Sequence, residues 1–123
     1  SLNSAYITYY WLTDKININR TKDIPEGFVK ALENDLNLPN AVKEIWAVSK
    51  SSANSIRNKD PKAIEKDINQ LLNMFEIFGL KYKNILEDSV IKQKVVDWKH
   101  ALDYKDYIKS DQIRKELQDK GIL

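Results

Sequence analysis

Apolar side chains recur every three or four positions along most of the chain, a spacing that places them on one face of successive helices. Short polar segments that contain Asn, Asp, Gly or Pro separate these periodic stretches. The connections are short enough for neighbouring helices to run antiparallel. The pattern therefore predicts an all-α fold, an antiparallel up-and-down helical bundle of five to six helices that forms a single domain over residues 1–123.

The first predicted helix, from Leu2 to about Asp14, is apolar on more than one side. One face consists of Leu2, Ala5, Tyr6, Tyr9 and Leu12. Ile7 and Trp11 project from the opposite side, where a surface helix is ordinarily polar. Either these two side chains are exposed or covered within the domain, or a neighbouring part of a larger protein covers them.

Two helix starts are predicted between residues 23 and 39. Asp23 and Glu26 have the spacing of a capping box, with Pro25 tolerated in the first turn. The buried side of this second helix is predicted to hold Phe28, Ala31, Leu32 and Leu36. The helix is expected to end near Asn37, and Pro39 favours a new first turn because it lacks the N–H that such a turn leaves unused.

The third predicted helix has an apolar face that includes several small residues. This face comprises Ala41, Val42, Ile45, Trp46, Ser49, Ser52, Ala53 and Ile56. The small Ser and Ala side chains favour the close approach of another helix.

Later helices carry clear start and stop signals. Asp60 and Asp106 are predicted N-caps, while Gly79 and Gly121 are predicted to end helices four and six. The apolar faces comprise Ile64, Ile68, Leu71, Leu72, Phe75 and Phe78; then Ile91, Val95, Trp98 and Leu102; then Tyr107, Ser110, Ile113 and Leu117, with Ile122 folding back. One core is expected to contain Phe28, Leu32, Ile45, Trp46, Ile68, Phe75, Val95, Trp98 and Leu117.

Composition excludes several classes of protein. The chain has 20 Lys and Arg against 18 Asp and Glu, a net charge of +2, so any contact with phosphate must be local. It has no cysteine, which excludes disulfides and thiolate metal sites and fits a reducing compartment. No apolar run reaches the roughly 18 residues of a membrane helix. We therefore expect a soluble, cytoplasmic protein with no membrane partner.

The one ordered basic feature lies on the back of the third helix. Lys43, Lys50 and Arg57 are spaced seven residues apart, which aligns them in a row with about 10 Å between successive charges. We call these three residues the basic stripe. It is interpreted either as a solvated helix face or as a row of contacts to nucleic-acid phosphates.

Residues for catalysis or metal binding are not apparent in the sequence. His100 is the single histidine, and a zinc site needs three or four protein ligands. Nucleotide-binding glycine loops and a nucleophile with a histidine partner are likewise missing from the sequence. We therefore predict no catalytic residue, no metal ligand and no cofactor in this chain itself.

Residues 28–41 read F-V-K-A-L-E-N-D-L-N-L-P-N-A. This motif resembles F-x-x-A-M-x-D-D-F-N-T-P-x-A in the DALR-type helical domain that follows the catalytic core of bacterial cysteinyl-tRNA synthetases. Residues 105–107 and 110–123 read K-D-Y and S-D-Q-I-R-K-E-L-Q-D-K-G-I-L, similar to the family's K-D-F-x-x-A-D-x-I-R-x-x-L-x-x-x-G-I. Because both motifs occur in the same order as in the family, their resemblance argues against coincidence.

The resemblance covers essentially the whole chain and implies a fragment that lacks the catalytic core and the final C-terminal segment. It implies a domain that braces the anticodon stem of cysteine tRNA, and a parent ligase that uses ATP and zinc in its missing catalytic domain. Ile7 and Trp11 would then contact that domain. The candidate nucleic-acid-binding residues are Lys43, Lys50 and Arg57, from the stripe, and Arg114, from the second motif, where pairing with Asp111 is an alternative role.

The chain departs from the family pattern at two positions. Leu38 stands where the family has a capping Thr, so Asn37 is expected to cap the third helix instead. Leu102 stands where the family has Arg, which removes a phosphate contact at that position.

Two other interpretations remain open at this point. One is a protein-interaction or scaffold bundle with no role in nucleic-acid binding, which the nearly neutral charge favours. The other is the helical brace of a related cysteine ligase that condenses cysteine with an amino sugar.

Overall fold

The computed structural model describes residues 2–33 and 37–123. These residues form six α-helices and one short 3-10 helix, without a β-strand, so the predicted all-α bundle is confirmed. The helices are α1 (Leu2–Thr13), α2 (Glu26–Glu33), α3 (Leu38–Arg57), α4 (Pro61–Ile77), α5 (Ser89–Asp103) and α6 (Tyr107–Asp119), and the 3-10 helix (Ile85–Glu87) precedes α5. The predicted burial of Leu36 lies outside the described residues, as does the segment just before Asn37, where the second helix is predicted to end.

Side-chain caps begin the helices where the sequence places them. The carboxylates of Asp60 and Asp106 accept hydrogen bonds from the amides of Ala63 and Lys109, both at 3.2 Å. Asn37 accepts from the Asn40 amide at 3.3 Å, which confirms that Asn37 rather than Leu38 caps α3. Each cap satisfies an amide that has no partner within its helix.

The predicted capping box of Asp23 and Glu26 does not form. Pro25 directly precedes α2, and its carbonyl accepts from the amides of Phe28 and Val29. The Asp23 carboxylate accepts a hydrogen bond from Gln70 of α4, and Glu26 pairs with Lys30 at 3.0 Å. Gln70 thus competes with the amides of α2 for the Asp23 carboxylate. The hydrogen bond to Gln70 holds the loop before α2 against α4.

Four helices end in the same backbone arrangement, the Schellman motif. A residue with positive φ follows α3, α4, α5 and α6, and the next amide bonds to a carbonyl five residues earlier, as Asp60 does to Ser55 and Leu80 to Phe75. Gly79 (φ 74°) and Gly121 (φ 75°) fill this position as predicted. Lys59 (φ 52°) and Lys105 (φ 58°) fill it after α3 and α5.

Helix α4 lies between two hydrophobic clusters, so the expectation of one core is wrong. Ile68, Val95, Trp98 and Leu117 lie in or against the first cluster with much of α1. Phe28, Leu32, Ile45 and Phe75 lie in or against the second, between α2, α3 and α4. Neighbouring positions of α4 contribute to opposite clusters, Leu72 to the first and Leu71 to the second.

Helix α1 is covered on both sides, which corrects the prediction for Ile7. Ile7 is only 2% exposed. Trp11 packs edge-on against Trp98, with ring centroids 4.9 Å apart, and its indole N–H donates to the Val95 carbonyl at 3.2 Å. Ile7 is therefore not free to contact another domain, whereas Trp11 is half-buried and packs on one side against α5 of this chain.

Some side chains predicted to pack are exposed. Leu12 on α1, Val42 and Ala53 on α3, Phe78 after α4, Leu102 on α5 and Tyr107 on α6 are all exposed to solvent. These residues lie at the margins of their faces or near helix ends. Helical spacing predicts on which face of the helix a residue lies, but it does not predict whether the neighbouring helix extends far enough to cover that residue.

The loop before α2 is held against α4 by asparagine side chains. Asn69 donates to the Thr21 hydroxyl at 2.6 Å, and Asn73 donates to the Thr21 and Asp23 carbonyls at 2.9 and 2.6 Å. These bonds fix an irregular segment whose backbone has no helical partners. The entry into α2 is thereby set by α4.

Candidate nucleic-acid interface

The basic stripe lies on the solvent side of α3. Helix α3 buries Ala41, Val48, Ser52 and Ser55 on the opposite side. Lys43, Lys50 and Arg57 are all exposed, as expected for residues about half a turn from the buried face. The predicted row of three aligned cations is therefore accessible from solvent.

The exposed side of α3 carries a row of positive charges. None of the three cations takes part in an ion pair within residues 2–33 and 37–123. The single acidic residue of α3 is Glu44, which is half-buried and points at α2, where a Cβ on Gly27 would clash with its Oε1. The stripe is thus available to an external anion.

A buried polar contact with α4 sets the rotation of α3. The Asp67 carboxylate accepts from the Ser55 hydroxyl at 2.9 Å and from the Ser51 hydroxyl at 3.1 and 3.2 Å. Burial raises the pKa of the Asp67 carboxyl, and the two hydroxyl donors oppose that rise. Because this contact fixes which side of α3 faces inward, it also fixes the outward direction of the stripe.

Trp46 is the residue of this surface that the sequence prediction missed. The sequence predicts it in the core, yet 70% of its surface is exposed. Trp46 lies three residues after Lys43 and four before Lys50, so its ring projects beside the stripe. The apolar character of Trp favours a core position. However, helical spacing places Trp46 on the side of α3 that carries the Lys residues and not on the side that carries Ala41 and Val48, which is a signal against a core position.

Arg114 is not brought together with the stripe. It lies on α6, which packs against α5, whereas α3 packs against α1, α2 and α4. Its guanidinium lies 3.6 Å from Asp111, the pairing that the second motif suggested. Arg114 therefore pairs within its own helix, and that helix does not pack against the helix that carries the other three candidates.

A second group of cations beside α4 is interleaved with carboxylates. An open cavity of about 510 Å³ is lined by Arg20, Lys81, Lys83, Glu76 and Glu87, together with the stacked rings of Tyr6 and Tyr82. The Arg20 guanidinium is bound by Glu76 at 3.1 Å and by Asn73 at 2.7 Å. This cavity therefore presents mixed charge rather than a free cationic surface.

Within the part of the chain that the structure describes, no group of three or more His, Cys, Asp or Glu side chains could hold a metal ion. His100 is exposed on α5. None of the described helices is long and apolar enough to cross a membrane.

Comparison with known proteins identifies related sequences. Residues 27–83 match the DALR domain family. The chain is 35% identical over 117 residues to the cysteine–tRNA ligase of Mycoplasmoides gallisepticum, an alignment that covers 93% of this chain and 26% of the relative. It is 29% identical over 116 residues to the cysteine–tRNA ligase of Ureaplasma parvum, covering 94% of this chain and 26% of the relative. No solved structure gives a significant match.

These similarities confirm the resemblance to the helical domain of cysteinyl-tRNA synthetases. The chain spans about a quarter of the length of the curated relatives it matches. The segment that matches the DALR domain contains all of α3 and α4, and therefore the whole stripe. Arg114 lies outside it.

Proposed function

We propose that this chain is the helical domain of a cysteine–tRNA ligase and that the basic stripe on α3 contacts the anticodon stem of cysteine tRNA. The observation that carries the proposal is the row of exposed cations Lys43, Lys50 and Arg57, which form no ion pair among the described residues and lie within the segment that matches the DALR domain. The names of the relatives supply the class of enzyme.

The stripe suits a phosphate backbone in its chemistry and spacing. Three cations about 10 Å apart along a rigid helix can each lie near a phosphate of one groove edge. Contacts of this kind position a protein on RNA without reading its sequence. Three of them give a shallow salt dependence, with a log–log slope of about −2 to −3.

In this proposal the domain braces the tRNA while chemistry takes place elsewhere in the ligase. The parent enzyme would join cysteine to its tRNA with ATP, and a zinc ion in its catalytic domain would recognise the cysteine thiolate. Both groups would belong to the part of the ligase that precedes this domain. The same proposal places the protein in the cytoplasm, where translation takes place.

The test uses the full-length ligase that carries this domain. Replacing Lys43, Lys50 and Arg57 together by Glu should raise the KM for tRNA and leave cysteine-dependent pyrophosphate exchange unchanged. The three side chains are exposed, so the melting temperature should change little.

A charge-matched control comes from α6, where Lys109, Arg114 and Lys115 are also exposed. Replacing those three by Glu changes the net charge equally and should leave the KM for tRNA unchanged. An unaltered KM in the stripe variant would show that the stripe is a solvated helix face. A raised KM in the α6 variant alone would move the contact to Arg114 and its neighbours.

A scaffold function is the second candidate, favoured by apolar side chains around the α5–α6 connection. Tyr104 and Ile108 are 84% and 78% exposed, and the net charge of the chain is only +2. A bundle with this function would bind protein through that end. Its binding would be lost on replacing Tyr104 and Ile108 by Ser, and would be indifferent to the stripe variant.

A further inference from the structure

The three tryptophans of the chain have different environments. Trp11 and Trp98 pack against each other between α1 and α5. Trp46 instead extends into solvent from the middle of α3, with the exposed Val42 one turn before it. Exposure of so large an apolar surface is unfavourable in water, and aromatic side chains of this kind are typical of binding surfaces.

The charges around Trp46 indicate what kind of partner would cover it. Lys43 and Lys50 lie at helical spacing on either side of the indole, where Cβ atoms are about 5–6 Å apart. Both ammonium groups are free of ion pairs within the described residues. A partner must therefore offer a flat apolar face between two negative charges, and a nucleotide offers a base between two phosphates.

We propose that Trp46 stacks on an unpaired base of bound RNA while Lys43 and Lys50 contact the phosphates on either side of that nucleotide. This inference rests on the proposed function and adds a contact to it that phosphate binding does not require. A paired stem hides the faces of its bases within the stack, so Trp46 would engage a nucleotide where a stem opens into a loop. The stripe would contact the phosphates of the stem, and Trp46 would stack on the first unpaired base beyond it.

The test compares the binding of two RNA probes at low salt to the chain of 123 residues. One probe is a hairpin with a single-stranded loop, and the other is a blunt duplex of the same number of nucleotides. Replacing Trp46 by Ala should weaken hairpin binding about 5- to 150-fold, which corresponds to the loss of one aromatic–base stack. Duplex binding and the slope of log affinity against log salt should stay as in the unaltered chain.

Two variants separate stacking from other causes. Trp46→Phe keeps an aromatic face and should retain most of the hairpin affinity, while Trp46→Ala should melt at the same temperature as the unaltered chain. Replacing Lys43, Lys50 and Arg57 by Glu should weaken binding of both probes and flatten the salt dependence. The fluorescence of Trp46 should be quenched by the hairpin and not by the duplex.

The outcomes distinguish this inference from the function on which it rests. Equal hairpin affinity in Trp46→Ala and the unaltered chain, with a loss in the stripe variant, overturns the stacking contact and keeps the phosphate contacts. Failure of the unaltered chain to bind either RNA overturns both, and Trp46 with Val42 would then belong to a protein interface.

Discussion

The Ser55 hydroxyl donates a hydrogen bond of 2.9 Å to the buried carboxylate of Asp67, across the contact between α3 and α4. Asp67 is only 5% exposed, and the Ser51 hydroxyl supplies its second donor. Polar groups in such a place fix one arrangement, because any rotation of α3 would leave a buried carboxylate without donors. The direction of the basic stripe therefore depends on residues that lie on the opposite side of the helix.

This contact predicts a dependence of stability on pH. Burial raises the pKa of the Asp67 carboxyl in the folded state, so the folded state favours its protonated form. The stabilisation from that protonation is present below the unfolded pKa and is lost as pH rises through the folded pKa. Asp67→Asn is neutral throughout, so its free energy of unfolding relative to the unaltered chain should increase as pH rises above the ordinary pKa of an aspartate. Urea unfolding at several pH values measures this, and a flat or decreasing difference would contradict it.

The environment of Tyr9 predicts a loss of stability at alkaline pH. Burial, with a hydrogen bond to the Glu65 carboxylate at 2.7 Å, raises the pKa of Tyr9 to about 12. The neutral phenol is favoured by the fold, so its contribution is complete below pH 10 and is lost as pH rises towards 12. Tyr9→Phe should cost about 1–2 kcal/mol near neutral pH through the lost hydrogen bond. The difference from the unaltered chain should shrink above pH 10, as followed by urea unfolding, and a constant difference would refute the assignment.

The Schellman motifs predict opposite effects for Gly and non-Gly residues. Lys59→Gly should stabilise the chain by up to about 1 kcal/mol, because Lys59 has the positive φ that side chains with a Cβ disfavour. Gly79→Ala should destabilise it by about 1 kcal/mol, since the added Cβ would meet no atom within 4 Å and only backbone strain remains. Thermal unfolding of both variants measures the two shifts. Shifts of the same sign would show that another interaction dominates these positions.

The cap of α3 can be tested by two neighbouring substitutions. Asn37→Ala should cost about 0.5–2 kcal/mol because the Asn40 amide loses its acceptor. Leu38→Thr restores the family residue, yet it should give no comparable gain because Leu38 lies one position inside the helix. Chemical denaturation compares the pair. A large gain from Leu38→Thr would mean that the helix begins one residue later than the structure places it.

Local chemistry in the sequence was enough to predict most of the helix boundaries. Asn37, Asp60 and Asp106 cap helices through side chains that reach amides three residues ahead, and Gly79 ends α4 through its own backbone freedom. These interactions join residues that lie only a few positions apart in the chain, so both partners can be recognised in the sequence. The alignment of Lys43, Lys50 and Arg57 is predictable for the same reason, because helical spacing alone fixes it.

Features that depend on partners distant in sequence could not be predicted in this way. Asp23 has the local pattern of a cap but bonds to Gln70 of α4, and Ile7 has the position of a surface residue but is covered inside the first cluster. Trp46 has the side chain of a core residue, yet α1, α2 and α4 together cover only the opposite side of α3. Helical periodicity shows which residues share a face, whereas only the packed neighbours determine how much of the helix circumference is buried. Local sequence thus specifies the helices, their caps and the aligned cations, and the packing around α4 selects which of their faces remain open for binding.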